Sequence, residues 1–190
     1  MKEEIHNICT KYGIENYTIN DDGSIDVDGH VDLSWKDLER MPVKFREITG
    51  DFYCPYNRLN SLEGCPKRVG GDFYCDSNNL TTLDGCVEKI DGDFYCDNNN
   101  LTSLKGGPEK VGGVFFCNKN NLTSLDGCPK KVGGFFFCNK NKLTSLDGGP
   151  KKVGGSFYCN ENPLPKHIID NPIAELERIN RNNKLNTILN

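Results

Sequence analysis

The chain has 190 residues, enough for one domain with a real core. Its net charge of −4 argues against a general nucleic-acid binder and against an anionic membrane surface, since both need a strong basic footprint. No stretch approaches the ~18 apolar residues of a membrane span. Met1-Lys2-Glu3-Glu4-Ile5-His6-Asn7 also lacks the apolar run of a secretory signal, so a cytoplasmic location with its ten cysteines reduced is expected.

Taken in chain order, residues 2–12 place Ile5, Ile8, Cys9 and Tyr12 at helical spacing, with Gly13 as a stop. Tyr17 to Ile19 and Ser24 to Val27 flank Asp21-Asp22-Gly23, which predicts a hairpin. Residues 1–28 therefore form an N-terminal helix-and-hairpin cap.

From residue 50 a 21-residue period dominates the sequence. Phe52-Tyr53-Cys54 returns as Phe73-Tyr74-Cys75, Phe94-Tyr95-Cys96, Phe115-Phe116-Cys117, Phe136-Phe137-Cys138 and Phe157-Tyr158-Cys159. Asn57, Asn78, Asn99, Asn120, Asn141 and Asn162 keep the same period, as do Leu columns beginning at Leu59 and Leu62 and an aliphatic column beginning at Val69. Val31, Leu33, Leu38, Met41 and Ile48 form a degenerate copy one period earlier. The solenoid is thus expected over residues 29–164, as one degenerate and about six clear repeats.

A strand alternates its faces, so Phe94 and Cys96 are expected inside and Tyr95 outside. Stacked strands ~4.8 Å apart turn each column into a ladder, and stacking buries the apolar side that a lone repeat leaves open. Cysteine suits such a tight interior. The Asn column is expected to turn inward and satisfy backbone groups of the bend. The pairs Gly70-Gly71 and Gly133-Gly134 are read as tight bends with unusual backbone angles. Pro66, Pro108, Pro129 and Pro150 discourage helix in the returning arm. After the repeats, residues 165–190 form a C-terminal helical cap. Asn171-Pro172 reads as its start, Ile173, Leu176 and Ile179 as its contact face, and Leu185, Ile188 and Leu189 as an extension of that face.

Phe94-x-Cys96-x-x-Asn99-x-Leu101-x-x-Leu104 resembles the leucine-rich repeat, L-x-x-L-x-L-x-x-N-x-L, from its second leucine onward. It departs at the first leucine, where Gly70, Asp91 or Gly112 stands and the aliphatic residue comes one place earlier. The run Leu-Thr-Ser-Leu-Asp-Gly-Cys-Pro-Lys-Lys-Val-Gly-Gly is similar to short repeats of phage and bacterial proteins. The resemblance implies an α/β repeat solenoid with a parallel sheet on a concave binding face, an irregular convex side and helical caps. It also implies a non-enzymatic protein-binding module, and by the phage likeness an inhibitor or decoy of a host protein in the host cytoplasm.

The outward columns are the candidate site. The middle one is aromatic: Tyr53, Tyr74, Tyr95, Phe116, Phe137 and Tyr158. Beside it stand Asp51, Asp72, Asp76, Asp93 and Asp97 in the first half, and Val114, Phe135, Asn118, Asn139, Ser156 and Asn160 in the second. A contiguous apolar surface and enriched Tyr and Phe mark interfaces. The acidic half suits a partner with a basic patch. Cross-strand aromatic packing and copying of one unit give an alternative, purely structural account. Nucleic acid stacked on the ladder is the less favoured partner, because Asp flanks half of it. A homodimer through Phe116, Phe135 and Phe137 is a third reading.

The arm opposite carries Lys67-Arg68, Lys110, Lys130-Lys131 and Lys151-Lys152, favoured as a solvated face over a basic stripe touching nucleic acid, with Glu88 and Glu109 diluting it. His6, His30 and His167 lie outside the clear repeats and are read as exposed polar side chains. Cysteines 21 residues apart, with no C-x-x-C pair or nearby His, do not suggest a zinc site. No nucleophile elbow, phosphate loop or metal-protease motif is present, so neither catalysis nor a cofactor is expected.

Overall fold

The computed structural model describes residues 1–189, with side chains through Thr187. Its strands are β1 (Tyr17–Ile19), β2 (Ile25–Val27), β3 (Val31–Asp32), β4 (Phe45–Ile48) and β5 (Phe52–Tyr53). Each later turn adds a pair: β6 (Arg68–Val69) with β7 (Phe73–Tyr74), β8 (Lys89–Ile90) with β9 (Phe94–Tyr95), and β10 (Lys110–Val111) with β11 (Phe115–Phe116). The last pairs are β12 (Lys131–Val132) with β13 (Phe136–Phe137) and β14 (Lys152–Val153) with β15 (Phe157–Tyr158). Helices close the ends: α1 (Lys2–Tyr12), α2 (Lys166–Asp170) and α3 (Pro172–Leu189).

The result is a parallel β-solenoid of about six turns with helices at both ends. Its strands form two sheets. The seven-stranded sheet runs β3-β5-β7-β9-β11-β13-β15 and the eight-stranded one runs β1-β2-β4-β6-β8-β10-β12-β14. Every pair in the repeats is parallel and in register at one period, such as Phe94↔Phe115 and Val111↔Val132. Val31 pairs with Phe52, so the degenerate copy is a structural turn. The arm expected to be irregular holds the eight-stranded sheet. Its strands are two residues long in the repeats, too short for alternation to show in the sequence.

The core lies between the sheets. The Phe, Cys and Leu columns are buried throughout, the Val or Ile column is buried up to Val132 with Val153 partly buried, and the Asn column is buried from Asn57 to Asn141. Each Asn does what the bend requires. Asn99 Oδ1 accepts the Leu80 N–H at 3.0 Å, and its Nδ2 donates to the carbonyls of Cys75 and Cys96 at 3.0 and 3.2 Å. One amide therefore ties two turns together and satisfies groups that no ladder reaches. All ten cysteines are free and buried. The thiols of Cys54, Cys96, Cys117 and Cys138 donate to the next turn's carbonyl, Cys96 to Phe116 at 3.2 Å.

The glycine pairs have another cause than the one expected: close approach, not left-handed backbone. Neither Gly70 nor Gly71 has positive φ. A Cβ at Gly133 would lie 1.9 Å from the Gly112 carbonyl oxygen, and one at Gly113 would lie 1.9 Å from Asp93 Oδ1. In the clear repeats the positive-φ glycines are Gly64, Gly85, Gly106, Gly127 and Gly148, one per turn at a different bend.

At the N-terminal end α1 buries Ile5 and Cys9 and ends at left-handed Gly13. The antiparallel β1–β2 hairpin continues the eight-stranded sheet through β2 and β4. At the C-terminal end α3 buries Leu176 and Ile179. Leu176 Cδ2 would be 2.6 Å from a Cβ at Gly149, so that glycine makes room for the cap. Leu185 is exposed at 56 % and does not extend the contact face. The side chains of Ile188 and Leu189 lie outside the described residues. No helix among the described residues is long and apolar enough to cross a membrane.

Candidate functional site

The seven-stranded sheet brings the outward aromatic column into one ladder. Strand pairing sets Tyr53, Tyr74, Tyr95, Phe116, Phe137 and Tyr158 side by side. Consecutive rings stack with centroids 4.7, 4.3, 4.4, 4.6 and 4.6 Å apart. The rings are half-buried until Tyr158, which is 42 % exposed. Within the ladder each ring face is covered by its neighbour, leaving edges toward solvent.

The acidic column beside it is engaged in the scaffold. Asp51, Asp72 and Asp93 each accept the backbone N–H of the next turn through Oδ1, at 2.7, 2.7 and 2.6 Å. The other oxygen accepts the phenol of the same turn: Tyr53 on Asp51, Tyr74 on Asp72 and Tyr95 on Asp93, at 3.0, 3.2 and 3.3 Å. Burial, and then the neighbouring carboxylates, push the Tyr53 phenol up to about 12 and raise those of Tyr74 and Tyr95. His30, one period before Asp51, starts the same column and accepts the Asp51 N–H at 2.9 Å.

In the two turns after Asp93 the acid and the hydroxyl disappear together, and in the last turn Tyr158 returns beside Ser156. Val114 accompanies Phe116 and Phe135 accompanies Phe137. The change from an acidic to an apolar face is thus a change from hydrogen-bonded Asp–Tyr pairs to apolar pairs, and it has a structural cause apart from any partner. Asp76 and Asp97 lie on the other flank, both half-buried. Burial raises both carboxyls, and the Asp76 charge adds to the rise at Asp97, which reaches about 6.

The last turns expose apolar surface. Phe135 is 44 % exposed and packs edge-on against Phe137 and Tyr158, with centroids 6.2 and 6.3 Å away. Gly155 leaves room for it, since a Cβ there would lie 2.3 Å from the Phe135 ring. Beside the patch, Asn139 Oδ1 is buried without a hydrogen-bond partner among the described residues.

Sequence reasoning missed one exposed feature. Trp35 and Tyr56 stack at 4.1 Å with 72 % and 47 % exposure. Both have positive φ, as do Ser77, Asn98, Lys119, Lys140 and Glu161 at later periods, so the backbone shape belongs to the turn. Their separation of one period was the available signal.

Among the described residues no group of three or more His, Cys, Asp or Glu is placed to hold a metal ion. The fold and these columns define a repeat solenoid with an aromatic ladder on one sheet. Comparison with protein-family models, curated proteins and solved structures gave no match.

Proposed function

We propose that this chain is a non-enzymatic binding module, and that the aromatic face of the seven-stranded sheet engages another protein. The observation that carries the reading is the exposed cluster at the end of the ladder. Phe135 and Tyr158 stand 44 % and 42 % open to solvent, continuous with Phe116 and Phe137. Large exposed aromatic side chains on a rigid surface supply contact area with little ordering penalty, and such anchors carry much of the energy at protein interfaces. The acidic half is the weaker contributor, because Asp51, Asp72 and Asp93 already accept amides and phenols. A partner's basic groups are left chiefly with Asp76 and Asp97. Base stacking is disfavoured along the ladder, since neighbouring rings already occupy one another's faces.

The test is affinity capture with the wild-type chain beside the double variant Phe135→Ser and Tyr158→Ser. Both positions are exposed, so circular dichroism and thermal midpoint are expected to stay near wild type. The expected result is one partner held by wild type and weakened at least about tenfold in the variant, the scale of losing one interface anchor. Equal capture by the two would reassign the ladder to scaffolding. Sedimentation velocity on the same pair addresses a two-fold homodimer through the same patch. A wild-type dimer that becomes monomeric in the variant would make a second copy the partner.

A further inference from the structure

The eight-stranded sheet carries a second surface. Its register sets Lys89 opposite Lys110, Lys110 opposite Lys131 and Lys131 opposite Lys152. At ~4.8 Å per strand these four ammonium stems form a column ~14 Å long. Lys130 and Lys151 precede the last two, and all six are exposed.

This arrangement does not serve the fold. Like charges directly opposite one another on neighbouring strands are destabilising. The earlier turns show the alternative, where Glu47 stands opposite Arg68 and pairs with it at 3.2 Å. Lys89 has Asp91 at 2.7 Å, and Lys130 has Glu109 at 3.7 Å. Among the described residues, Lys110, Lys131, Lys151 and Lys152 have no carboxylate within ion-pairing distance. On a chain whose net charge is −4 they concentrate positive charge on one side, which supplies locally the basic footprint that the whole-chain charge lacks. The lysines alternate with inward Val111, Val132 and Val153, and the exposed corner glycines Gly112, Gly133 and Gly154 offer nothing to block an approaching rod.

We propose that this lysine column binds the phosphate backbone of duplex nucleic acid. A row of exposed cations without aromatic neighbours suits phosphates, not bases, so binding is independent of sequence. Single strands are the poorer fit, because they draw on stacking that this face lacks. With one phosphate neutralised by each of the four unpaired lysines, roughly four counterions are released.

The test is fluorescence anisotropy with two labelled duplexes of unrelated sequence, using the full chain. Wild type is expected to bind both equally, with a slope of log K against log salt of about −3.6, or about a hundredfold loss between 50 and 200 mM salt. The variant with Lys110, Lys131, Lys151 and Lys152 changed to Gln is expected to lose nearly all of that slope. The matching Lys→Arg variant is expected to keep it. Absence of binding at 50 mM salt, an unchanged slope in the Gln variant, or binding to phosphatidylserine vesicles that duplex fails to displace would each overturn the proposal. The outcome is independent of the aromatic face, whose variants leave these lysines in place.

Discussion

Asn99 and Asp97 stand two residues apart and show opposite balances of burial. The Asn99 amide meets every partner it needs, accepting from Leu80 and donating to Cys75, Cys96 and Asp97 carbonyls. Its role was legible because a polar residue recurring inside an apolar period has to satisfy backbone groups there. Asp97 is half-buried, and its carboxyl is raised to about 6 by burial first and by the Asp76 charge next. The folded chain therefore holds a proton that the unfolded chain, at its ordinary 3.8, releases. The stability this contributes is complete below about 3.8 and is lost as pH rises through about 6. Asp97→Asn is expected to raise stability at neutral pH by on the order of 1 kcal/mol, a figure already reduced for the group's partial exposure. It is also expected to flatten the fall in stability across that window. Urea titrations of both proteins at acid and neutral pH measure this, and parallel pH profiles would contradict it.

Within one turn, the corner between the two strands decides how closely turns stack. Gly113 lies where a Cβ would be 1.9 Å from Asp93 Oδ1 and 3.0 Å from the Gly92 backbone. That same Asp93 oxygen accepts the Val114 N–H at 2.6 Å. A methyl group would drive the carboxylate off the amide and crowd backbone that has no room to give. Gly113→Ala is therefore expected to destabilise the chain by about 2–3 kcal/mol, through overpacking and an unsatisfied amide. Denaturant unfolding reads the change, and a loss within a few tenths of a kcal/mol would show that the corner yields. The sequence marked these glycines but not their reason, because the atom each avoids belongs to a residue about one period away. The eight-stranded sheet escaped notice for a related reason. A two-residue strand such as Lys131–Val132 shows no alternation of its own.

Across the whole molecule, stability is shared between neighbouring turns, so the ends matter more than their size suggests. The last turn is less tightly enclosed than the middle. Phe157 and Leu164 keep 5 % and 8 % exposure, whereas Phe94 and Leu101 have none. Leu176 of α3 covers that end and fits against Gly149. Leu176→Ala is expected to cost about 2–3 kcal/mol at the cap. Hydrogen exchange is expected to quicken first in the final turn, with β5 to β9 still protected, because each turn touches only its neighbours. A uniform loss of protection along the chain would mean that the solenoid unfolds as a single unit.

The 21-residue period determined the number of turns, the inward Phe, Cys, Leu and Val columns and the Asn ladder, since each follows from which residue types repeat and how side chains alternate along a strand, while helical spacing and the Asp21-Asp22-Gly23 turn determined the helix-and-hairpin start. Tertiary structure decided what the outward columns do. Tyr95 meets Asp93 within its turn, but Asp93 meets the Val114 amide only because turns stack. Lys110 faces Lys131 and Phe116 covers Phe137 for the same reason. Sequence repetition names the members of a column. Only the register and spacing of the stacked turns decide whether those members are bonded to the scaffold, covered by one another, or left open to a partner.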